Sequence, residues 1–360
     1  MPRTFTKLQQ IHSELAEKIS AGVWKCGERL PTTTELAKTY ECSIGIVSKA
    51  IAMLVHEGVV EQRSRLGTRV IASPVDSLSS AVSLDAFAFI FPSTQHEGIW
   101  RTVRGFEAAA SAHSRKTVMI TTGTDFHKEA ESILRLAEFD VKGAAIYSNA
   151  EKSEDRLAIA RSLLHSKFPV VLSCMGASGL EFPSIFYDDF HAGYTMTKYL
   201  LGKGLRRIGF LSVSRTAMAL RGHRWAFEEA GLTPDPRLVE MESSMHANFE
   251  DPLAEPTLLA EKYLRSRAGA LEGVVCGFDF FAHGLIRAAG NLGIRIPEDL
   301  KVVGIDDFAI ASEIPLTTYH VPYERIGQRS FEVLNDLIRG QAPEVLEEHL
   351  RGEIVIRDSA

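Results

Sequence analysis

The 360-residue sequence has few cysteines and no long apolar stretch. Its four cysteines lie far apart and form no Cys-x-x-Cys pair, which predicts buried, reduced thiols at Cys26, Cys42, Cys174 and Cys276. No run approaches the roughly 18 apolar residues of a membrane helix. The opening residues, MPRTFTKLQQIHSELAEK, lack the apolar core of a signal peptide. We therefore expect a cytoplasmic protein without membrane contact.

The motifs of common enzymes are also missing. The sequence has no Gly-x-Ser-x-Gly elbow, no phosphate-binding loop and no run with metal-ligand spacing. His96 and Glu97 are adjacent but lack a third ligand, so we interpret them as a solvated loop. These absences predict a protein that is not an enzyme and that holds no cofactor and no metal.

Charge is divided unequally along the chain. The net charge is -6. Residues 1–75 carry ten Lys and Arg against seven Asp and Glu, which gives +3, so the remainder carries -9. A basic first part on an acidic remainder is typical of a DNA-reading domain attached to a larger body.

Residues 27–70, GERLPTTTELAKTYECSIGIVSKAIAMLVHEGVVEQRSRLGTRV, have the pattern of a winged helix-turn-helix. Apolar residues at steps of three or four predict a first helix that begins near Thr6. Thr32 and Glu35 have capping-box spacing at the start of a second helix, and Ser43 is a suitable N-cap for a third. Short strands at 59–61 and 68–70 would enclose an arginine-rich wing.

This string resembles the GntR-family winged helix. The shared features are Gly-x-x-Leu-Pro, Glu-Leu-Ala, Ser-x-x-x-Val, Leu-x-x-x-Gly-Val-Val and Gly-Thr-x-Val, within residues 8–71. Arginines that usually touch DNA in that family are replaced here by Thr34, Ile44 and Ser48. The resemblance therefore implies a changed set of DNA-binding residues: Thr32, Thr33, Thr34, Ser43, Ile44, Gly45, Ile46, Ser48, Lys49, Arg63, Arg65, Gly67 and Arg69.

Two of these residues have an alternative interpretation. Ile44 and Ile46 either pack on thymine methyl groups, a known apolar readout, or seal the domain against a neighbouring part of the protein.

A Ser-rich stretch with one proline, residues 72–84, is interpreted as a linker between a DNA-binding domain at 1–71 and a larger domain at 85–360. In the larger part, short apolar runs alternate with amphipathic segments of helical length. This pattern indicates an α/β fold with parallel sheets that are covered on both faces. The runs are 86–91, 117–121, 143–148, 169–174, 184–188, 207–212, 273–277 and 301–306.

The larger domain resembles the effector domain of LacI/GalR regulators. The likeness lies in Tyr187-Asp188-Asp189 with the 191–211 stretch, in 293–307 (GIRIPEDLKVVGIDD) and in Pro315-Leu-Thr-Thr. It implies two Rossmann-like subdomains of the periplasmic-binding-protein type, with crossovers near 189 and 319, that close on a small molecule, most often a sugar. The combination with a GntR-type head is that of AraR-like regulators of carbohydrate use, and it implies a homodimer on a palindromic double-stranded DNA operator.

The resemblance also indicates where an effector would bind. Asp188 and Asp306 match acidic positions that accept hydrogen bonds from sugar hydroxyls. The family's Arg and Asn ligands are replaced by Ala219 and Phe278. The candidate effector-binding residues are therefore Trp100, Tyr147, Phe186, Asp188, Arg221, His223, Phe278 and Asp306. As alternatives, the two aspartates cap helices and the aromatic residues belong to the core.

Three interpretations of function follow. The first is a ligand-responsive transcription regulator, most simply a repressor. The second is the same regulator with a ligand-less body that serves dimerisation, which the Ala219 and Phe278 replacements favour. The third is a solute-binding transport protein, against which the winged head and the absent signal peptide count.

Overall fold

A computed structural model of the chain describes residues 7–20, 22–56, 59–63, 67–71, 86–93, 96–123, 126–148, 153–165, 168–174, 181–243, 251–267, 269–310 and 314–360. The chain separates into two compact units, Met1–Ser83 and Leu84–Ala360, called here the head and the body. The predicted linker, Thr6 and Arg65 lie outside the described residues. No described helix is both long and apolar enough to cross a membrane.

The head contains three helices and a hairpin. The helices are α1 (Lys7–Ser20), α2 (Thr33–Thr39) and α3 (Ile44–His56), and the antiparallel strands are β1 (Val60–Arg63) and β2 (Gly67–Val70). Apolar side chains spaced three or four apart on α1 and α3 turn inward and form a core that is closed to solvent. Its most buried members are Ile11, Leu15, Val47, Ile51 and Leu54.

The segment before α2 pairs with β2 and lies beside the hairpin as a third extended segment. The Gly27 amide donates to the Val70 carbonyl at 2.8 Å, and the Leu30 amide donates to the Thr68 carbonyl at 2.9 Å. Arg29 thereby pairs with Arg69 across the sheet. The turn that precedes α2 and the wing are therefore one structural unit, which the sequence pattern does not reveal.

The body contains two six-stranded sheets. The first has the order β13-β7-β6-β5-β3-β4 and the second the order β14-β12-β11-β10-β8-β9. All pairings are parallel except that of β14 with β12. We call the part around each sheet the first lobe and the second lobe. The mixed α/β fold with two Rossmann-like lobes confirms the predicted fold class.

The strands of the first lobe are β3 (Ala86–Phe91), β4 (Lys116–Thr121), β5 (Val141–Tyr147), β6 (Val170–Ser173), β7 (Ser184–Tyr187) and β13 (Glu347–Leu350). Those of the second lobe are β8 (Ile208–Val213), β9 (Val239–Glu242), β10 (Gly273–Cys276), β11 (Lys301–Asp306), β12 (Thr317–His320) and β14 (Glu353–Val355). All eight predicted apolar runs are strands.

The body helices are α4 (Glu97–Ala112), α5 (Phe126–Leu134), α6 (Ser153–His165), α7 (Asp189–Gly202), α8 (Ala217–Glu229), α9 (Ala254–Ser266), α10 (Asp279–Asn291) and α11 (Tyr323–Ile338). They pack in pairs, α4 with α11, α5 with α6, α7 with α8 and α9 with α10. Each lobe therefore has a sheet that is parallel, apart from edge strand β14 in the second lobe, and that is enclosed by helices, which keeps the apolar strands away from water.

The chain passes between the lobes three times. It leaves the first lobe after β7, because α7 packs on β10, β11 and β12 of the second sheet. It returns after β12, because α11 packs on β5, β6 and β7. A third passage between β13 and β14 is additional to the two expected from the resemblance. Neither lobe is formed by one continuous part of the chain.

Candidate functional site

The outer face of α3 and the residue before it carry five of the candidate DNA-binding residues of the head. Ser43 directly precedes the helix, and Ser43, Gly45, Ser48 and Lys49 are exposed. Ile44 is 51% exposed although it is a large apolar residue. These side chains stand on a helix whose opposite face is anchored by the head core, so the outer face is rigidly presented to a partner.

The two isoleucines of α3 differ in environment. Ile46 is half-buried and packs against the head core, whereas Ile44 is exposed. Ile44 is therefore accessible to DNA or to a neighbouring part of the protein, whereas Ile46 has a packing contact within its own domain.

The start of α2 is held by a capping box. The Glu35 carboxylate accepts the Thr32 amide at 2.8 Å, and the Glu35 amide donates to the Thr32 hydroxyl at 3.3 Å. The backbone amide of Thr32 holds the pKa of Glu35 below its usual range. Thr32 is therefore committed to the helix start. Thr34 is exposed in the first turn and Thr33 is half-buried.

The hairpin and the turn before α2 each place an exposed arginine on the surface of the head. Arg63 ends β1, and exposed Gly67 begins β2 with a φ of 81°. Arg69 is exposed and pairs across the sheet with Arg29, which is also exposed. Sequence reasoning missed Arg29. The signal was its place in the Gly-Glu-Arg-Leu turn, but its proximity to the wing appears only when the turn joins β2.

In the body, Asp306 lies where the lobes meet. It ends β11 of the second lobe and is 0% exposed. Its carboxylate accepts the Tyr323 hydroxyl at 2.7 Å, and Tyr323 begins α11 of the first lobe. The same carboxylate accepts the Asp279 amide at 3.3 Å. Residues 307–310 are not helical, so the alternative that Asp306 caps a helix directly after its strand is wrong.

Aromatic rings surround this contact. Phe308 stacks on Tyr323 with a centroid distance of 5.8 Å, and His96 meets Phe308 edge-on at 5.2 Å. The Glu97 carboxylate accepts the Ala309 amide at 2.8 Å. The expectation that His96 and Glu97 form a solvated loop is therefore wrong, because both bind the segment after β11. The described residues contain no cluster of three or more metal-ligating side chains.

A buried acid supports the end of β11. Asp279 accepts the Thr318 hydroxyl at 2.6 Å and the Phe308 amide at 2.9 Å. Burial raises the pKa of this carboxyl to about 7. Asp279 thereby fixes the turn that carries Phe308 and was not among the predicted site residues.

Arg101 of α4 reinforces the same region. It donates to the Glu324 carboxylate at 2.9 Å and to the carbonyls of Asp307 and Val321 at 3.3 Å each. Asp307 directly follows β11, Val321 directly follows β12 and Glu324 lies in α11, so one guanidinium connects segments of both lobes. Sequence reasoning missed this residue as well.

Asp188 is at the first passage between the lobes. Its carboxylate accepts the His191 amide at 2.8 Å, which caps α7, and it accepts Arg351 Nε at 3.1 Å. The capping alternative thus describes Asp188 in this structure. Phe186 stacks on His349 of the neighbouring strand, with centroids 5.1 Å apart and ring planes at 13°.

The remaining candidates lie in several places. Tyr147 is buried at the end of β5. Trp100 is half-buried, and the Cζ atom of Arg104 lies 4.8 Å from the centroid of its ring. Phe278 is buried in the second-lobe core, directly before α10. All four thiols are free, but the prediction that they are buried is correct only for Cys276, because Cys26 is exposed and Cys42 and Cys174 are partly exposed.

His223 and Arg221 are on opposite faces of α8. His223 is 0% exposed, packs between Phe210 and Phe227 and shares a hydrogen bond with Thr197 at 2.9 Å. Burial lowers the pKa of His223 to about 3. Arg221 is exposed and contacts Met218. These positions do not support the expectation that either residue replaces the missing family arginine.

A three-helix head with a wing, followed in the chain by a body of two α/β lobes, is the domain arrangement of a transcription regulator. Residues 7–70 match the family model of bacterial regulatory proteins of the gntR family, and residues 197–360 match that of the periplasmic binding protein-like domain. The chain therefore joins a gntR-type DNA-binding domain to a periplasmic-binding-protein-like domain.

Similar proteins have the same character. The Arabinose metabolism transcriptional repressor of Geobacillus stearothermophilus is 25% identical over 99% of this chain and 98% of its own length. The HTH-type transcriptional repressor PurR of Vibrio atlanticus is 28% identical over 71% of this chain and 75% of its own. The lac repressor dimer bound to operator and the anti-inducer ONPF has a TM-score of 0.66 at 19% identity and covers 81% of this chain and 99% of that one. These proteins are regulators, not enzymes.

Proposed function

We propose that this protein is a repressor that binds a palindromic operator as a homodimer. We also propose that a carbohydrate or carbohydrate-like effector, bound by the body, controls the affinity of the protein for that operator. The observation that carries the proposal is that Ile44 and Lys49 are exposed on the outer face of α3, while the opposite face of this helix packs in the buried core of the head. The likeness to an Arabinose metabolism transcriptional repressor along almost the whole chain supports both the repressor role and the sugar class.

Each head contributes two kinds of DNA contact in this proposal. Lys49 and Ser48 reach base edges in the major groove, and Ile44 packs on thymine methyl groups. Arg29 and Arg69 hold phosphates beside the helix, which positions the head but reads no sequence. A dimer then requires two half-sites at a fixed separation.

Operator binding is tested by selecting DNA fragments with the full chain and measuring their affinity by gel shift. Lys49→Ala should weaken binding to the selected operator roughly tenfold or more and relax sequence preference. Lys38→Ala is the matched control, because Lys38 is an exposed lysine in the last turn of α2, and this variant should bind the operator like the wild type. Equal affinity of wild type and Lys49→Ala would show that α3 does not read the operator.

Effector control is assigned to the junction of the lobes. A sugar hydroxyl that donates to Asp306 would take the place of the Tyr323 hydroxyl and change how the lobes meet. The ligand needs to favour one arrangement by only about 1–3 kcal/mol to change the operator affinity usefully.

A panel of sugars and sugar acids, screened by thermal shift on the purified protein, tests this assignment. A true effector raises the melting temperature by mass action and releases the operator in the gel-shift assay. Asp306→Asn should bind the operator normally but respond to the effector only at much higher concentration. An effector that acts equally on Asp306→Asn would place its site elsewhere.

A second candidate is a regulator whose body serves dimerisation alone. It is favoured by the two candidate aspartates, since Asp306 already accepts the Tyr323 hydroxyl and Asp188 already accepts Arg351. A flat thermal-shift result across the panel, with operator binding intact, would support this candidate over effector control.

A further inference from the structure

Five aromatic rings lie together where the two lobes of the body meet. The first lobe contributes His96 directly before α4, Tyr187 at the end of β7 and Tyr323 at the start of α11. The second lobe contributes Phe280 in the first turn of α10 and Phe308 shortly after β11. We call these five residues the aromatic cluster.

The rings contact one another across the boundary between the lobes. The ring centroid of His96 lies 5.2 Å from that of Phe308 and 6.2 Å from that of Phe280. Phe280 and Phe308 are 5.8 Å apart, and within the first lobe Tyr187 is 6.5 Å from Tyr323. Separations of about 4.5–7 Å are those of interacting aromatic pairs. A ligand that enters between the lobes at this place therefore separates rings that stabilise each other.

The aromatic cluster is closed on one side and partly open on the other. Phe308 and Tyr323 are 7% and 4% exposed, whereas the other three rings are partly exposed. The closed side adjoins Asp306, because the Tyr323 hydroxyl donates to its carboxylate at 2.7 Å. One strong hydroxyl acceptor thus lies next to rings that extend from the interior of the junction to its surface.

The charged side chains around the aromatic cluster already have partners. The Arg101 guanidinium donates to Glu324, and Arg357 and His320 both bind the Asp307 carboxylate. A free sugar has a hydroxyl group on almost every carbon, and each hydroxyl that is buried without a partner costs free energy. The junction is therefore better suited to a ligand with one polar end and one flat apolar end, since aromatic walls with few polar groups are typical of sites for such ligands.

We propose that the effector is a sugar joined to an aromatic group, as in an aryl glycoside. A hydroxyl of the sugar donates to Asp306, and the aromatic group enters the aromatic cluster beside Phe280 and Phe308. The inserted ring then replaces the ring contacts that the two lobes lose when they separate. This proposal rests on the proposed function, in which the body binds an effector, and it specifies the chemical class of that effector.

Matched glycosides test the aromatic part of the ligand alone. Methyl and phenyl glycosides of glucose, galactose, xylose and arabinose, each in both anomers, are titrated against the full chain by thermal shift and by release of the selected operator. For at least one sugar, the phenyl glycoside should bind at least about tenfold more tightly than its methyl counterpart, which is the expected effect of burying one phenyl ring.

Substitution of Phe280 tests where the aromatic group binds. Phe280→Leu keeps most of the apolar volume but lacks the flat ring, so the preference for the phenyl glycoside should fall to about threefold or less. Trp225→Leu is the matched control, because Trp225 is an exposed aromatic residue on α8 of the same lobe, and this variant should retain the full preference. Circular dichroism verifies that both variants fold.

The possible failures of this proposal and of the proposed function are distinguishable. Equal affinity of the methyl and phenyl glycosides, or a phenyl preference that survives Phe280→Leu, would overturn the proposal. Binding of free sugars but of none of the phenyl glycosides would also overturn it, while effector control would stand. No response to any free sugar or glycoside, with operator binding intact, would overturn effector control together with this proposal.

Discussion

At the scale of single residues, buried polar side chains connect the two lobes of the body. The Tyr323 hydroxyl on Asp306 joins α11 of one lobe to β11 of the other, and Asp279 fixes the turn that follows β11. Because an unpartnered buried polar group costs free energy, an effector that breaks such a contact must replace it with an equivalent one. A hydroxyl donor is therefore the ligand group that this junction is best suited to accept.

His223 gives the body a specific sensitivity to acid. Its pKa is about 3 when folded and about 6.5 when unfolded, so the native state binds fewer protons. The free energy of unfolding is unaffected by this titration above pH 6.5. It decreases as the pH falls toward 3, because the unfolded state then binds a proton that the folded state does not. At pH 4.5 the loss should be roughly 2–3 kcal/mol.

His223→Asn removes this titration, so the difference in unfolding free energy between variant and wild type should shrink as the pH falls from 7 to 4.5. Chemical denaturation at each pH measures it. The other titrating groups are shared by both proteins and cancel in the difference. A difference that stays constant with pH would show that His223 is not held neutral.

At the scale of elements, α3 has one side that packs in the head core and one side that faces solvent. Ile46 faces the head core and Ile44 faces solvent, although the two positions are equally apolar in sequence. An exposed isoleucine at a helix start contributes little to stability, so its use is expected in contact with DNA.

Ile44→Ala should change the unfolding free energy by no more than about 0.5 kcal/mol but weaken operator binding. Ile46→Ala, its matched control, should cost roughly 1–3 kcal/mol because it removes packed methyl groups. Thermal unfolding and gel shift on both variants give the comparison. The reverse pattern, with Ile44→Ala the more destabilised and still fully able to bind, would assign Ile44 to packing.

The eight apolar strands follow directly from the sequence, because continuous runs of apolar residues are stable only inside a covered parallel sheet. Strands β9, β12, β13 and β14 were not predicted. Val239–Glu242, Glu347–Leu350 and Glu353–Val355 are partly exposed edge strands that contain glutamates, and Thr317–His320 is buried but has no continuous apolar run. In the same way, Asp306 stands out in sequence but Tyr323 does not. Their contact depends on a chain passage between lobes, which leaves no local pattern.

At the scale of the whole molecule, the head and the body have separate hydrophobic cores. The head core is built from α1, α2, α3 and the hairpin, and the body core spans both sheets. Units that share no core unfold independently unless another contact couples them.

Calorimetry of the full chain should therefore show two transitions. Leu54→Ala, which removes a fully buried side chain from the head, should destabilise the head by about 2–5 kcal/mol and leave the body transition in place. Val275→Ala, at an equally buried position in β10, should destabilise the body and leave the head transition in place. A single transition that moves with either substitution would show that head and body unfold together.

The three passages of the chain between the lobes have a consequence for inheritance. A gene fragment that encodes one lobe would lack α7, α11 or the strands β13 and β14 that complete it, so neither lobe can be duplicated, deleted or exchanged by itself. The head, by contrast, is encoded by one uninterrupted segment. Recombination can therefore replace the DNA-reading part as a unit while the two lobes must be passed on together.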